Sequence, residues 1–203
     1  MGSSLAFIGI PLQAAYCASK FAARGFSESV RAELLHEGSK VTLSMVHLPA
    51  IDTPQFDWSE ARLPNYPQPV PPTYSPEVAA RFVLDAALDG RRSKMLGAWN
   101  KLIFTGTKVA PGVLSRYAAK TAVNSQQTET PVADDRPSNL WAPADAATDY
   151  GAHGSFGHQQ GGFLHPGFLA TPPKSAADVA VAVKDAASFV LGRNRRAKQL
   201  RSS

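Results

Sequence analysis

The chain has 203 residues, 44% of them hydrophobic, which is enough to form one core. A chain of this length forms one or two domains, and we expect one. The net charge is +5, and the last eleven residues alone contain five basic and no acidic side chains. The remainder of the chain is therefore neutral overall, and we expect no nucleic-acid partner. No apolar run approaches the ~20 residues of a membrane span. A single cysteine, Cys17, excludes an internal disulfide and favours a reducing, cytoplasmic location.

The first predicted element is a helix from about Ala14 to His36, with an apolar stripe and Gly38 after its end. Tyr16 and Lys20 lie four positions apart on it, so a helix places both side chains on one face. A cation beside a phenol favours the ionised form, which makes the phenol a usable acid or base near neutral pH. The same spacing also occurs in many helices whose pair is exposed and inert. Ser3, thirteen positions before Tyr16, offers a hydroxyl that could hold a substrate oxygen.

Two different segments follow this helix. Residues 41–48 predict a buried parallel strand that closes at Pro49. Residues 57–74 are dense in proline and include Trp58 and Tyr66, a composition that is typical of a flexible linker.

Three more elements are well marked. Ser75 and Pro76 begin a helix that runs to about Leu88 and ends at Gly90. A short strand is predicted at about residues 93–97. Residues 99–122 then predict one or two helices, interrupted at the Pro111-Gly112 pair.

From residue 123 the core pattern fades, and we divide the chain into residues 1–122 and an extension, residues 123–203. The extension is rich in loops, with a helix at about residues 175–191 and a basic tail at residues 193–203. The tail could bind an anionic surface, although a solvated terminus is the simpler interpretation. The histidines of the extension lie in a glycine-rich loop without cysteines or patterned carboxylates, so we predict no metal site; they are His153, His158 and His165.

Several runs together resemble the catalytic segment of the short-chain dehydrogenases/reductases. The runs are Gly2-Ser3-Ser4, Gly9-Ile10-Pro11, the stretch from Gln13 to Leu34 around Tyr16 and Lys20, and the stretch from Val41 to Pro54. The last is similar to the family's strand and its Pro-Gly-x-x-x-Thr cofactor loop, with Ala50 in place of the glycine. Asn139-Leu140-Trp141 and Gly151–Phe156 resemble the tail of a longer subgroup of that family. The resemblance implies an α/β fold, a partial Rossmann-type doubly wound parallel sheet that is rich in helix and carries an irregular C-terminal extension.

The resemblance also implies roles for individual residues. Tyr16 would be the general acid or base while hydride passes to or from a nicotinamide ring, and Lys20 would bind the ribose of that cofactor. Ser3 would hold the reacting oxygen; its neighbour Ser4 is the alternative, although the distance to Tyr16 favours Ser3. Thr53 would meet the nicotinamide carboxamide, and the backbone beside the ring would be shaped by Pro49 and Ile51. Without that role, Thr53-Pro54 is simply a strand end followed by a turn.

Two larger features follow from the same resemblance. Residues 57–74 lie where the family places a loop that covers the substrate, and aromatic groups on a proline-stiffened cover would suit an apolar substrate. The Ala14–His36 helix would form a dimer interface with a second copy or a full-length relative.

A glycine-rich turn of the form Thr-Gly-x-x-x-Gly-x-Gly, which would receive the cofactor pyrophosphate, is not among these residues. We therefore expect the chain to be the C-terminal, catalytic part of an enzyme that uses NAD or NADP on an alcohol or carbonyl substrate, and to be inactive by itself. Two alternatives remain open. The first is a non-catalytic partner that dimerises through the Ala14–His36 helix, and the second is a peripheral anion-surface binder that acts through residues 193–203.

Overall fold

The computed structural model describes residues 1–159, and the predicted terminal helix, the basic tail and His165 lie outside them. The chain divides into two compact units. The first contains residues 1–49, 61–68 and 79–134. The second contains residues 50–60 and 69–78 and, of the described residues, 135–159.

Residues 1–159 form seven strands and five α-helices, interspersed along the chain. The strands are β1 (Gly2–Ser3), β2 (Met45–Leu48), β3 (Ala50–Ile51), β4 (Asn65–Pro67), β5 (Thr73–Tyr74), β6 (Ser93–Met95) and β7 (Gln127–Pro131). The α-helices are α1 (Ala14–His36), α2 (Gln55–Trp58), α3 (Pro76–Asp89), α4 (Ala98–Val109) and α5 (Pro111–Ser125). Single 3-10 turns occupy Ser4–Ala6 and Gly157–Gln159.

The first unit is built on a three-stranded parallel sheet in the order β1-β2-β6. Gly2 pairs with His47, and Met45 pairs with Ser93, so the strands run side by side in the same direction. Parallel neighbours need a crossover connection, which α1 provides between β1 and β2. This arrangement confirms the predicted α/β class with a partial Rossmann-type parallel sheet.

The helices are close to their predicted bounds. Helix α1 spans Ala14–His36 as expected, and Gly38 follows it at φ 63°, a conformation that suits glycine at a helix end. The expected break in residues 99–122 separates α4 from α5. Ala110 adopts φ −142° and ψ 58° there, and Pro111 takes the first helical position of α5.

The second strand is shorter than the sequence predicts. The ladder begins at Met45 rather than Val41, and Val41 is 65% exposed. The Leu43 carbonyl accepts a hydrogen bond of 2.9 Å from the Arg31 guanidinium instead of bonding to a neighbouring strand. The same guanidinium also bonds to the Arg92 carbonyl, so α1 rather than the sheet binds this stretch of backbone.

A two-stranded antiparallel ribbon of β4 and β7 also lies in the first unit. We predicted a loop-rich extension from residue 123 with a terminal helix, and the five-residue strand β7 was not among the predicted elements. Its backbone is held by the side chain of Gln68, whose Nε2 donates to the carbonyls of Ser125 and Gln127. The second unit has its own short parallel pair, β3 with β5.

His47, on β2, is the largest fully buried polar residue of the first unit. It is 2% exposed, its ring lies 4.6 Å from the Phe7 ring, and its Nδ1 lies 3.2 Å from the Ser3 carbonyl oxygen. Gly2 makes room for it, because a Cβ at that position would lie 2.7 Å from His47 Nδ1. Burial lowers the pKa of His47 below 6.5, although the hydrogen bond to the Ser3 carbonyl acts in the opposite direction.

The buried histidine predicts an acid-sensitive fold. Because the pKa of His47 is lower in the folded state, its contribution to the free energy of unfolding is complete above pH ~6.5 and is lost as pH falls towards the folded pKa. In that window the free energy of unfolding should fall by up to about 1.4 kcal/mol per pH unit. Urea unfolding measured from pH 7.5 to 5.5 tests this. His47→Gln should flatten the dependence, and an equally steep dependence in that variant would contradict the assignment.

Of the helices formed by residues 1–159, none combines the length and the apolar character that crossing a bilayer requires.

Candidate active site

The predicted tyrosine and lysine are brought together on the first turns of α1. Lys20 Nζ lies 5.2 Å from the centre of the Tyr16 ring. Tyr16 is 42% exposed, so its phenol is open to a ligand. The two side chains point from successive turns of one helix, and their relative position is therefore set by regular helix geometry.

The start of α1 is held by a residue that the sequence analysis did not single out. Gln126, 4% exposed at the end of α5, donates from Nε2 to the Pro11 carbonyl at 3.0 Å. Its Oε1 accepts from Gln13 Nε2 at 2.6 Å. Gln13 precedes the first residue of α1, so this pair fixes the segment that leads into the Tyr16 turn. No local pattern could have revealed it, because more than a hundred residues separate the partners.

Ser3, the last residue of β1, and Ser4, the first residue of the 3-10 turn, make different hydrogen bonds. Ser3 Oγ accepts from the Leu5 amide at 3.1 Å and caps the 3-10 turn. Ser4 Oγ instead donates to Oδ1 of Asn100, which is 4% exposed and whose Nδ2 donates to the Leu96 carbonyl. The Ser4 hydroxyl proton is therefore used inside the fold, whereas Ser3 uses its oxygen as an acceptor and keeps a proton to donate.

Arg24 also supports this part of the first unit. It lies four positions after Lys20 and donates to the Ala6 carbonyl at 2.8 Å. Its guanidinium carbon lies 4.7 Å from the centre of the Phe7 ring. The turn that follows Ser3 is thus tied to α1, one helical turn beyond Lys20. The sequence analysis did not single out Arg24, although its position four residues after Lys20 places it on the same face of the helix.

The predicted cofactor-loop residues lie at the junction in the chain between the two units. Pro49 follows β2 and is the last residue of segment 1–49 of the first unit. Ile51 and Thr53 belong to the second unit. Ile51 pairs with Tyr74 in the β3–β5 ladder, and the Thr53 amide donates to the Ile51 carbonyl at 3.0 Å. Thr53 is four positions after Pro49, whereas the threonine of the Pro-Gly-x-x-x-Thr pattern is five positions after the proline.

Asp52 is the most buried residue of this loop, at 1% exposure. Its amide donates to the Tyr74 carbonyl at 2.9 Å, and its Oδ1 accepts from the Phe156 amide at 3.0 Å. Burial raises the pKa of Tyr74 to about 12, far from the range of an acid or base at neutral pH. The second unit therefore offers a firmly held loop around Thr53.

Among residues 1–159, no three histidine, cysteine, aspartate or glutamate side chains gather into a group that could hold a metal ion.

Comparison with known proteins finds a family that is similar to the N-terminal part of the chain. The model of the short chain dehydrogenase family matches residues 1–62, a range that contains both Tyr16 and Thr53. An "Uncharacterized oxidoreductase YxnA" of Bacillus subtilis (strain 168) is 31% identical over 132 residues, 64% of this chain and 37% of that protein. The 3-ketodihydrosphingosine reductase of Dictyostelium discoideum is 38% identical over 65 residues, 32% of this chain and 19% of that protein.

This chain thus spans little more than a third of the first relative and about a fifth of the second. No solved structure matches it significantly. The family match covers the predicted tyrosine, lysine and serines, and the Bacillus relative carries the name of an oxidoreductase. Over residues 1–62, the chain is similar to the short-chain dehydrogenase family.

Proposed function

We propose that this chain is the catalytic part of an oxidoreductase that uses NAD or NADP to interconvert an alcohol and a carbonyl compound. The observation that supports it best is the accessible Tyr16 phenol with the Lys20 ammonium 5.2 Å from its ring centre. The name of the Dictyostelium relative, a 3-ketodihydrosphingosine reductase, supports a ketone or alcohol as the reacting group. We propose a cytoplasmic location, consistent with the single cysteine.

Tyr16 is the proton donor and acceptor in this proposal. During reduction its hydroxyl gives a proton to the carbonyl oxygen, and during oxidation its phenolate takes the proton of the alcohol. A bound nicotinamide dinucleotide supplies the carbon that gives or receives the hydride. Lys20 would donate hydrogen bonds to the ribose hydroxyls of that cofactor.

The donor set fits the nicotinamide-ribose end of such a cofactor. An ammonium and a phenol on adjacent turns offer donors to a diol, and Thr53 offers a hydroxyl to a carboxamide. Pro49 and Ile51 precede Thr53 in the chain, which supports their proposed role beside the ring. The 203 residues contain no Thr-Gly-x-x-x-Gly-x-Gly turn for the pyrophosphate.

We therefore propose that the chain has no turnover by itself. Hydride transfer requires the nicotinamide to be held in place, and much of that binding energy comes from the phosphates. Activity is best measured after joining this chain to the glycine-rich N-terminal part of a short-chain dehydrogenase, which we term the joined protein. Turnover by the joined protein with NADH or NADPH and a ketone tests the proposal, and lack of turnover in a folded joined protein that binds either cofactor would refute it.

Ser3 is the proposed donor to the reacting oxygen. In the joined protein, Ser3→Ala should lower kcat by about tenfold, the effect of one lost hydrogen bond of roughly 1.4 kcal/mol in the transition state. Ser4→Ala should instead lower the free energy of unfolding by about 1–3 kcal/mol, because the buried Asn100 Oδ1 loses its donor, with kcat nearly unchanged. Steady-state kinetics and urea unfolding of both variants test this. A larger loss of kcat for Ser4→Ala would assign the role to Ser4.

Residues 57–74 are the proposed cover over the substrate. They include the prolines and the aromatic Trp58 and Tyr66, which suit an apolar alcohol or ketone.

A second candidate is a non-catalytic partner that dimerises through α1. It is favoured by two large apolar residues of that helix, Phe26 at 71% and Leu35 at 75% exposure. Sedimentation of the chain alone and mixed with a full-length relative distinguishes the candidates. A stable mixed dimer together with an inactive joined protein would favour the partner role.

A further inference from the structure

Part of the C-terminal extension surrounds the end of the short helix α2. Arg136 donates from its two terminal nitrogens to the Ser59 carbonyl at 2.6 Å and to the Phe56 carbonyl at 2.9 Å. The Asn139 amide donates to the Trp58 carbonyl at 3.0 Å. The last carbonyls of a helix have no partner within the helix, so these donors complete the end of α2.

A glycine of the extension lies directly against the Thr53 loop. The Gly154 amide donates to the Asp52 carbonyl at 3.3 Å. A Cβ at Gly154 would lie 2.5 Å from the Thr53 carbonyl oxygen and 2.7 Å from Asp52 Oδ1. Gly154 does not have positive φ, unlike Gly151 at 72°, so it is the close approach rather than the backbone conformation that requires glycine here.

The residues on either side of Gly154 add contacts to the same region. Phe156 donates its amide to Asp52 Oδ1, and its ring lies 5.9 Å from that of Phe56. Ser155 Oγ donates to the Asp57 carboxylate. His153 Nε2 lies 2.5 Å from Glu77 Oε1 on the first turn of α3. One stretch of the extension thus contacts the loop, α2 and the start of α3.

We propose that residues 136–156 form a brace that positions the Thr53 loop and α2, so that the extension is an integral part of the cofactor site. The proposal rests on the assigned role of Thr53 in binding the nicotinamide. Asp52 is a positioning residue in this account: its carboxylate joins the loop to the brace and does not touch the cofactor. The first residues of the proposed substrate cover, 57–59, are therefore held by the brace.

The first test is amide hydrogen exchange of the full 203-residue chain without cofactor. Gly154→Ala forces a Cβ against the Thr53 carbonyl, so exchange in residues 51–58 should rise at least about tenfold. Gly112→Ala is the matched control, because its Cβ meets only the tip of the Arg116 side chain at 3.8 Å. Exchange should be unchanged in that control. Equal protection of residues 51–58 in the wild-type chain and Gly154→Ala would overturn the brace.

A second pair of variants decides the matter if Gly154→Ala does not fold. Asp52→Asn keeps an oxygen that can accept from the Phe156 amide, whereas Asp52→Ala removes it. The Phe156 amide should stay protected in Asp52→Asn and lose about tenfold protection in Asp52→Ala. The same exchange rate in both variants would overturn the role of Asp52.

A binding measurement separates positioning from a purely structural role. In the joined protein, Gly154→Ala should weaken the Kd for NADH or NADPH about tenfold relative to Gly112→Ala. A loosened loop with unchanged Kd would overturn the positioning role. If the joined protein with the wild-type sequence binds neither cofactor, the proposed function fails, and the exchange experiment still decides whether the brace exists.

Discussion

Replacing Tyr16 with phenylalanine is expected to lower kcat of the joined protein by about 10²–10⁴-fold, the usual contribution of general acid–base catalysis. Phenylalanine keeps the ring, so the contact between the ring and the Lys20 ammonium is retained and only the hydroxyl with its transferable proton is lost. The free energy of unfolding should change little, because Tyr16 is 42% exposed. Oxidation of NADH or NADPH by a ketone measures the rate.

Tyr117→Phe is the matched control for this prediction. Tyr117 is 51% exposed on α5 and loses the same hydroxyl group in the control variant. Its kcat should equal that of the parent. Retention of more than about a tenth of kcat by Tyr16→Phe would be too small a loss for general acid–base catalysis and would remove Tyr16 from the mechanism.

Replacing Lys20 with alanine is expected to raise the KM for the cofactor by about 10–100-fold. A hydrogen bond from a charged donor contributes about 1.5–3 kcal/mol, and each 1.4 kcal/mol corresponds to a factor of ten. A fall in kcat should accompany it, because the charge beside the Tyr16 phenol is lost as well. Steady-state kinetics with varied cofactor measure both constants.

The control for this second prediction is Lys101→Ala. Lys101 is an exposed lysine of α4, and its removal changes the net charge by the same amount. Both kinetic constants should be unaffected in this variant. If Lys20→Ala and Lys101→Ala behave alike, the effect of Lys20 is general electrostatics rather than a contact with the ribose.

The elements that the sequence predicted well carry their signals locally. Helix α1 combines an apolar stripe with Gly38 at positive φ after its end, and the start of α3 is marked by Ser75, whose Oγ accepts from the Val78 amide at 3.4 Å. The Tyr16 and Lys20 pair is equally local, since four residues of regular helix bring the two side chains together.

The features that were missed depend on contacts between distant residues. Strand β7, with the sequence Gln-Thr-Glu-Thr-Pro, has no apolar alternation, and its partner β4 lies about sixty residues away, so only the fold reveals it. The shortened start of β2 depends on Arg31, a side chain of the preceding helix. The brace joins Asp52 to Phe156, which are 104 residues apart.

Equilibrium titration of the joined protein with NADH and with NADPH, alongside its Lys20→Ala variant, tests the proposed nicotinamide site. We expect saturable binding of at least one cofactor by the parent, weakened about 10–100-fold by the loss of Lys20. Binding of neither cofactor by a folded parent, or equal binding by the parent and Lys20→Ala, would contradict a nicotinamide site built on Tyr16 and Lys20.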